Sequence, residues 1–203
     1  MGHKFAEIAF TPTVRAMQAA QGSRDAYAPF DEGEAHHHRL GAAEAGFMAE
    51  RDSFYMASVS ETGWPYVQHR GGPAGFLRVL DEQSIGFADF QGNRQYVSVG
   101  NLARNDRVSL ILVDYGQRRR LKILGRARIA GPGEEVLGRL AVPGYRARVE
   151  RGVVIRVEAF DWNCPQHIQP RATDAEMEAV VSPLRARIAA LEAQLAAGPA
   201  STG

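Results

Sequence analysis

Three stretches of the chain bring together side chains able to hold a small anionic or aromatic molecule. In WPYVQHRGGPAGFL, from Trp64 to Leu77, Gln68 and Arg70 alternate onto one face of an extended run, and Gly71 and Gly72 follow as bare backbone. Glycine packs nothing and loses more entropy on ordering than other residues, so inside a strand it marks a turn, a bulge or the close approach of another body. In FADFQGNRQYVSVGNLARND a strand ends at Ala88 and Asp89, a polar turn presents Asn93, Arg94 and Gln95, and a short helix follows. An arginine beside the free N–H groups of a helix start points donors to one place and makes a phosphate cradle. In QRRRLKILGRAR, Arg120, Lys122, Arg126 and Arg128 share one strand face, with Leu121, Ile123, Ala127 and Ile129 on the other.

Each stretch also has a plain structural reading. An arginine alternating with aliphatics is ordinary on the solvated face of an antiparallel sheet, which suits Arg126 and Arg128. Arg94 in a turn can simply be exposed, and His69, of opposite strand parity to Gln68 and Arg70, equally suits a buried, satisfied imidazole. The run His36 to His38 has no second ligand cluster in the sequence to make it a metal site, and reads as a loop ahead of a helix. No Gly-x-Ser-x-Gly elbow, Walker loop or dinucleotide fingerprint is present, which removes the familiar hydrolase and nucleotide-binding signatures.

Composition narrows the class further. The chain has 203 residues, 45% of them hydrophobic, enough for one sizeable core. Lysine and arginine number 24 against 23 acidic residues, so no global field favours nucleic acid or an anionic membrane. Only Lys4 and Lys122 are lysines; local anion capture falls to arginine, whose planar fork suits phosphate. The single cysteine, Cys164, excludes an internal disulfide and fits a cytoplasmic location, as does the lack of a signal-peptide core in MGHKFAEIAF. No apolar run reaches membrane-spanning length. Cys164 reads as a small buried hydrophobe rather than a redox thiol.

The elements that must position these groups follow from periodicity. Thr11 and Pro12 open a helix in TPTVRAMQAAQGSR, and Leu40, Ala43, Phe47 and Met48 repeat at helical spacing in the next segment. From Ser53 the pattern turns to strands: SFYMASVS, WPYVQHR, GFLRVL, SIGFADF, RVSLILVD, RLKILGRARIA and VVIRVEAF, separated by turn residues. Short strands at this spacing predict an antiparallel barrel or sandwich. After residue 171 the chain becomes helical again. Thr173 and Glu176 form a capping box, Ser182 and Pro183 mark a fresh helix start, and Leu184, Ile188, Leu191 and Leu195 make one apolar stripe. The expected organisation is a helical segment over 1–50, a β domain over 51–171 and a C-terminal helix and tail over 172–203, the stripe packing on the barrel or on a second subunit.

The order of these segments, with GWPYVQHRGGPAGFLRVLD followed by FADFQGNRQYVSVGNLARNDRVSLILVDYGQRRRLKILGRARI, resembles the pyridoxamine 5'-phosphate oxidase-like family of FMN-binding split β-barrels. The resemblance spans Phe47 to Arg171, and DWNCPQHIQPR adds a Cys-Pro-x-x-Ile segment that closes the barrel in many relatives. It implies a mainly β, Greek-key split barrel with flanking helices. It further implies FMN along Gln68, His69, Arg70, Gly71 and Gly72, with its phosphate held near Ala88, Asp89, Asn93, Arg94 and Gln95 and its ring near Arg120. Family members are typically homodimers with FMN in clefts between subunits. Gln95 stands where a basic residue usually follows the arginine, and the spacing to Asn105 is longer than in the oxidase itself. The oxidase's terminal tryptophan and arginine motif is also absent, Trp162 and Arg171 having only a similar spacing.

The resemblance therefore implies an FMN-dependent oxidoreductase acting on a small electron donor and acceptor, NAD(P)H among them, rather than pyridoxamine phosphate oxidase itself. Redox chemistry belongs to the flavin, which is why no catalytic triad is needed. A flavin or haem carrier without turnover and a deazaflavin-dependent reductase would use the same barrel. A nucleic-acid binder built on Arg118 to Lys122 is disfavoured by the balanced charge and the lack of adjacent stacking aromatics.

Overall fold

Period-two burial builds the sheet. In β1 (Ser53–Val59) Phe54, Met56 and Ser58 point inward while Tyr55 is exposed, as alternating side chains on a half-buried strand require. A turn in which Ser60 N–H donates to the Trp64 carbonyl returns the chain as β2 (Pro65–Gly71), paired antiparallel from Ser53↔Gly71 to Val59↔Pro65. β3 (Arg78–Asp81) and β4 (Ser84–Phe90) form the next hairpin. Then come β5 (Arg107–Asp114), β6 (Arg119–Ala130) and the 15-residue β7 (Val149–Asn163). In this computed structural model, which describes residues 2–163 and 166–196, every strand pairing is antiparallel and the sheet order is β2-β1-β5-β6-β7-β4-β3.

The edges of this sheet do not stay apart. β2 is one end of the strand order and β4 is last but one at the other, yet Arg70 on β2 reaches Asp89 on β4 at 2.8 Å. The sheet has curled until its ends face one another, leaving a seam instead of a hydrogen-bonded closure. The interior is filled by Phe54, Phe76 and Phe87, with ring centroids 5.3 Å apart for Phe54–Phe87 and 5.6 Å for Phe54–Phe76, and by Leu110, Leu112, Leu121, Ile123 and Ile155. The architecture is that of a split β-barrel with helices around it.

The helices over Pro12–Ala20, Ala42–Ala49 and Val97–Leu102, and the start of that over Asp174–Ala196, follow the expected signals; elsewhere the helices depart from them. α1 (Lys4–Ala9) was not foreseen from the sequence, being too short for its periodicity to register. α2 (Pro12–Ala20) starts on the Thr11 hydroxyl, which accepts from Val14 N–H, and α3 (Arg24–Tyr27) and a 3-10 turn over Ala28–Asp31 follow it. α4 (Ala42–Ala49) buries Phe47 and Met48. α5 (Val97–Leu102) lies between β4 and β5, as expected, and α6 (Val136–Leu140) before β7. α7 (Asp174–Ala196) uses Thr173 and Glu176 as a reciprocal capping box. It does not restart at Ser182, because Pro183 is carried inside one continuous helix. A single interior proline removes one N–H donor, and the turns on either side are long enough to hold the helix through it. No residue of α7 is buried, so its apolar stripe does not pack on the barrel. Cys164 lies outside the described residues.

Candidate functional site

At the seam β2, β4 and the turn ahead of α5 enclose a cleft of about 270 Å³. The inward parity of β2 brings Gln68 and Arg70 to it, and Gly71 reaches it at the strand end. β4 supplies Ala88 and Asp89, and the polar turn supplies Asn93, Arg94 and Gln95. His69 borders the cleft from a strand position whose side chain is exposed and rests against Tyr55.

Two expected residues are placed elsewhere. Gly72 is not in the lining, and a methyl group there would come within 2.8 Å of the Phe76 ring. Gly75, with φ of +75°, lies 3.0 Å from the Ala49 carbonyl at the same added-atom position. The glycines after Arg70 are thus required in part by the chain's own turn, which folds Phe76 back into the core. Arg120, on β6 opposite Val113, also lies outside the lining.

Asp89 is the centre of the charge arrangement. It is 7% exposed, accepts from Arg70 Nη1 at 2.8 Å and lies 3.5 Å from Arg151 Nε. Burial pushes its carboxyl above the ordinary aspartate range, against the opposing pull of Arg70 and Arg151. Arg151 in turn donates to Glu150 at 2.6 Å, and Glu150 accepts from the Tyr96 hydroxyl at 3.2 Å. Arg94 Nε donates to that same hydroxyl at 3.1 Å, a bond that raises the pKa of its guanidinium. Acid and base alternate around the rim from Arg70 to Arg94, with the cations in excess.

Arg94 and Tyr96 hold φ of 62° and 54°, the left-handed region that non-glycine residues seldom occupy. The turn is fixed in part by Asn93, whose side chain accepts from Gln95 N–H at 3.1 Å. Gln68 is not a free surface amide. Its Oε1 accepts from the Tyr66 hydroxyl at 3.2 Å and the Ser98 hydroxyl at 3.4 Å, which turns its NH₂ away from these groups. Arg70 Nε is buried with no hydrogen-bond partner among the described residues. A buried donor left unpaired is costly, so an acceptor supplied by a ligand at this edge fits the residues present.

Sequence reasoning did not include Arg151, Glu150, Tyr96 and Ser98 in the site. Arg151 reaches Asp89 because β4 pairs with β7 in the register Asp89↔Arg151, which depends on a long-range pairing. The available signal was the Glu150-Arg151 pair opening an otherwise apolar strand.

A curled antiparallel sheet with a cleft at its seam, lined by arginines and amides, is a split β-barrel with a polar cleft. The family model for pyridoxamine 5'-phosphate oxidase matches residues 40–162, over half of the sequence, and the chain belongs to that family. Among solved structures it is similar to an FMN-binding protein from Syntrophomonas wolfei, at 12% identity and TM-score 0.46, over 75% of this chain and 95% of that one. It is similar also to a conserved hypothetical protein from Mycobacterium tuberculosis, at 18% identity and TM-score 0.48, over 70% and 96% of the two chains. A third similar structure is a protein related to general stress protein 26, of the pyridoxinephosphate oxidase family, from Clostridium acetobutylicum, with 13% identity, TM-score 0.44, and coverage of 61% and 86%. No curated protein matches the sequence. None of the described helices is long and apolar enough to cross a membrane.

Proposed function

We propose that the chain is an FMN-dependent oxidoreductase whose cleft holds the phosphate and ribityl end of the cofactor. The observation that carries this reading is the meeting of Gln68, Arg70 and Arg94 in one cleft of a pyridoxamine 5'-phosphate oxidase family barrel, with the Arg70 Nε–H unpartnered. When bound, FMN supplies hydride and electron transfer. The chain's own part is binding and orientation. Arg94, cationic and fixed by Tyr96, offers charge-assisted hydrogen bonds to the phosphate. Asp89 holds Arg70 in place at the β2 edge, and Gln68, oriented by Tyr66 and Ser98, presents its amide to a polar ligand edge.

At about 270 Å³ the cleft is at the small end of cofactor sites, so one chain gives the flavin ring only part of its enclosure. The outer face of β1 and β2 and the turn joining them leave Tyr55, Trp64 and Val67 exposed. Both features support a homodimer in which the second subunit completes the cleft. The reaction partner is a small electron donor or acceptor, with NAD(P)H as the first to try.

A visible absorption spectrum of the purified protein, with the released cofactor identified by mass, tests the class. FMN is expected, whereas a haem spectrum or a deazaflavin mass overturns the proposal. The residue assignment is tested by Arg94→Ala, which should weaken FMN about ten- to a hundred-fold and leave riboflavin, which lacks the phosphate, nearly unchanged. Equal losses for both flavins would remove Arg94 from the phosphate site.

A further inference from the structure

Away from the cleft, three imidazoles converge where the N-terminal segment crosses the loop ahead of α4. One ring nitrogen each from His3, His36 and His37 lies within 4.8 Å of the other two. His3 is 5% exposed, stacked on His37 at 4.1 Å between centroids and meeting His36 edge-on at 5.1 Å. The backbone fixes this meeting. His3 N–H donates to the Phe30 carbonyl at 2.9 Å, Lys4 N–H to the His36 carbonyl at 3.1 Å, and His36 N–H to the Gly2 carbonyl at 2.9 Å. Phe160 on β7 donates to the His37 carbonyl at 2.8 Å, and His37 is held at φ of 60°, an uncommon conformation for a residue with a side chain.

The histidines are packed together, but their polar atoms are not all satisfied. Nδ1 of His3 and Nδ1 of His37 are both buried with no hydrogen-bond partner among the described residues. An interior donor or acceptor without a partner calls for a ligand or a compensating group. On the other side of the His3 ring, Nε2 lies 3.5 Å from Asp161 Oδ1. A carboxylate near one nitrogen of a histidine whose other nitrogen has no partner suits the orienting of a metal-bound imidazole.

We propose that His3, His36 and His37 bind a divalent transition-metal ion of the zinc class, with Asp161 orienting His3. Three imidazoles suit zinc, and the exposed edge at His36 leaves a coordination position open to water or to an incoming ligand. The His3 and His37 rings are 12° from parallel, so one of them must turn about its side-chain torsions to point its lone pair at a shared ion. A bound ion would tie the N-terminal segment to the loop that packs on β7, and would therefore stabilise the folded chain.

The test uses the full chain without an added histidine tag, stripped of metal and titrated with Zn²⁺ by calorimetry and with Co²⁺ by visible absorption. One ion per chain is expected, with ligand-field bands for Co²⁺ and a higher melting temperature with Zn²⁺. His36→Ala, at an exposed side chain, should weaken binding about ten-fold or more while the metal-free protein melts as before. His37→Gln should behave alike, and His167→Ala, at an exposed histidine outside the cluster, should bind as the parent does. Absence of saturable Zn²⁺ binding, or binding unchanged in both His36→Ala and His37→Gln, overturns the proposal.

Discussion

Around Asp89 and along the outer face of β6 the same arginine–carboxylate pairing has opposite surroundings. The side chains of Arg70 and Asp89 are 15% and 9% exposed at the seam of the barrel, with Arg151 closing the group from β7. Arg126 and Asp106 are both 48% exposed, and Arg128 and Glu134 are 56% and 42% exposed. All these arginines lie on strands, so strand position alone does not separate them. What separates them is whether the sheet curls over them. A buried pair has lost its hydration and depends on its partner, whereas an exposed pair exchanges one solvated state for another. Arginine at the seam is held in place by a buried carboxylate; arginine on the outer face is ordinary surface.

Removing the anion from each group should break the comparison most sharply. Asp89→Ala leaves Arg70 and Arg151 buried without their common carboxylate, and should cost about 3–5 kcal/mol in urea unfolding of the cofactor-free protein. A loss no larger than that of an exposed pair would mean that water reaches the seam freely. The raised pKa of Asp89 qualifies this without contradicting it. The buried carboxylate is not favourable by itself, and its deletion is harmful because of what it leaves behind.

The pH dependence gives a second, smaller effect. With its folded pKa raised, Asp89 binds protons more readily in the folded chain than in the unfolded one. Its contribution to stability is fully present below the ordinary aspartate value and is lost as pH rises through the raised value. Asp89→Asn removes that titration. Stability of the parent should therefore fall relative to Asp89→Asn as pH rises across this window; parallel curves would show that Arg70 and Arg151 just offset burial, and a relative rise that they outweigh it.

The smallest effect is expected on the outer face. Arg128→Ala removes a 2.7 Å hydrogen bond to Glu134, yet the denaturant midpoint and FMN affinity should stay as in the parent. A loss of FMN affinity comparable to that of Arg94→Ala would bring the β6 face into the site and redraw the boundary between the two regions.

Strand and helix identity was legible because it rests on local physics. Strand-forming runs bounded by turn residues marked β1 through β7, Thr11 with Pro12 marked α2, and Thr173 with Glu176 marked the start of α7. The polar turn at Asn93 to Gln95 was legible for the same reason, since side chains that compete for their own backbone favour turns. The restart at Ser182 was misread because a proline permits a helix start without enforcing one.

The sequence by itself determined an antiparallel β protein with arginines in place of lysines, a polar turn after its fourth strand, and the family to which it belongs. Tertiary structure decided which of those arginines matter. Only the curling of the sheet brings Arg70 of β2 to Asp89 of β4, and only the β4–β7 register puts Arg151 opposite the same carboxylate. It also decided that Gly72 serves Phe76, and that His3 meets His36 and His37 across more than thirty residues of chain. Periodicity reports which face a residue occupies on its own element; which faces meet is set by long-range pairing and burial, and no local pattern encodes that distance.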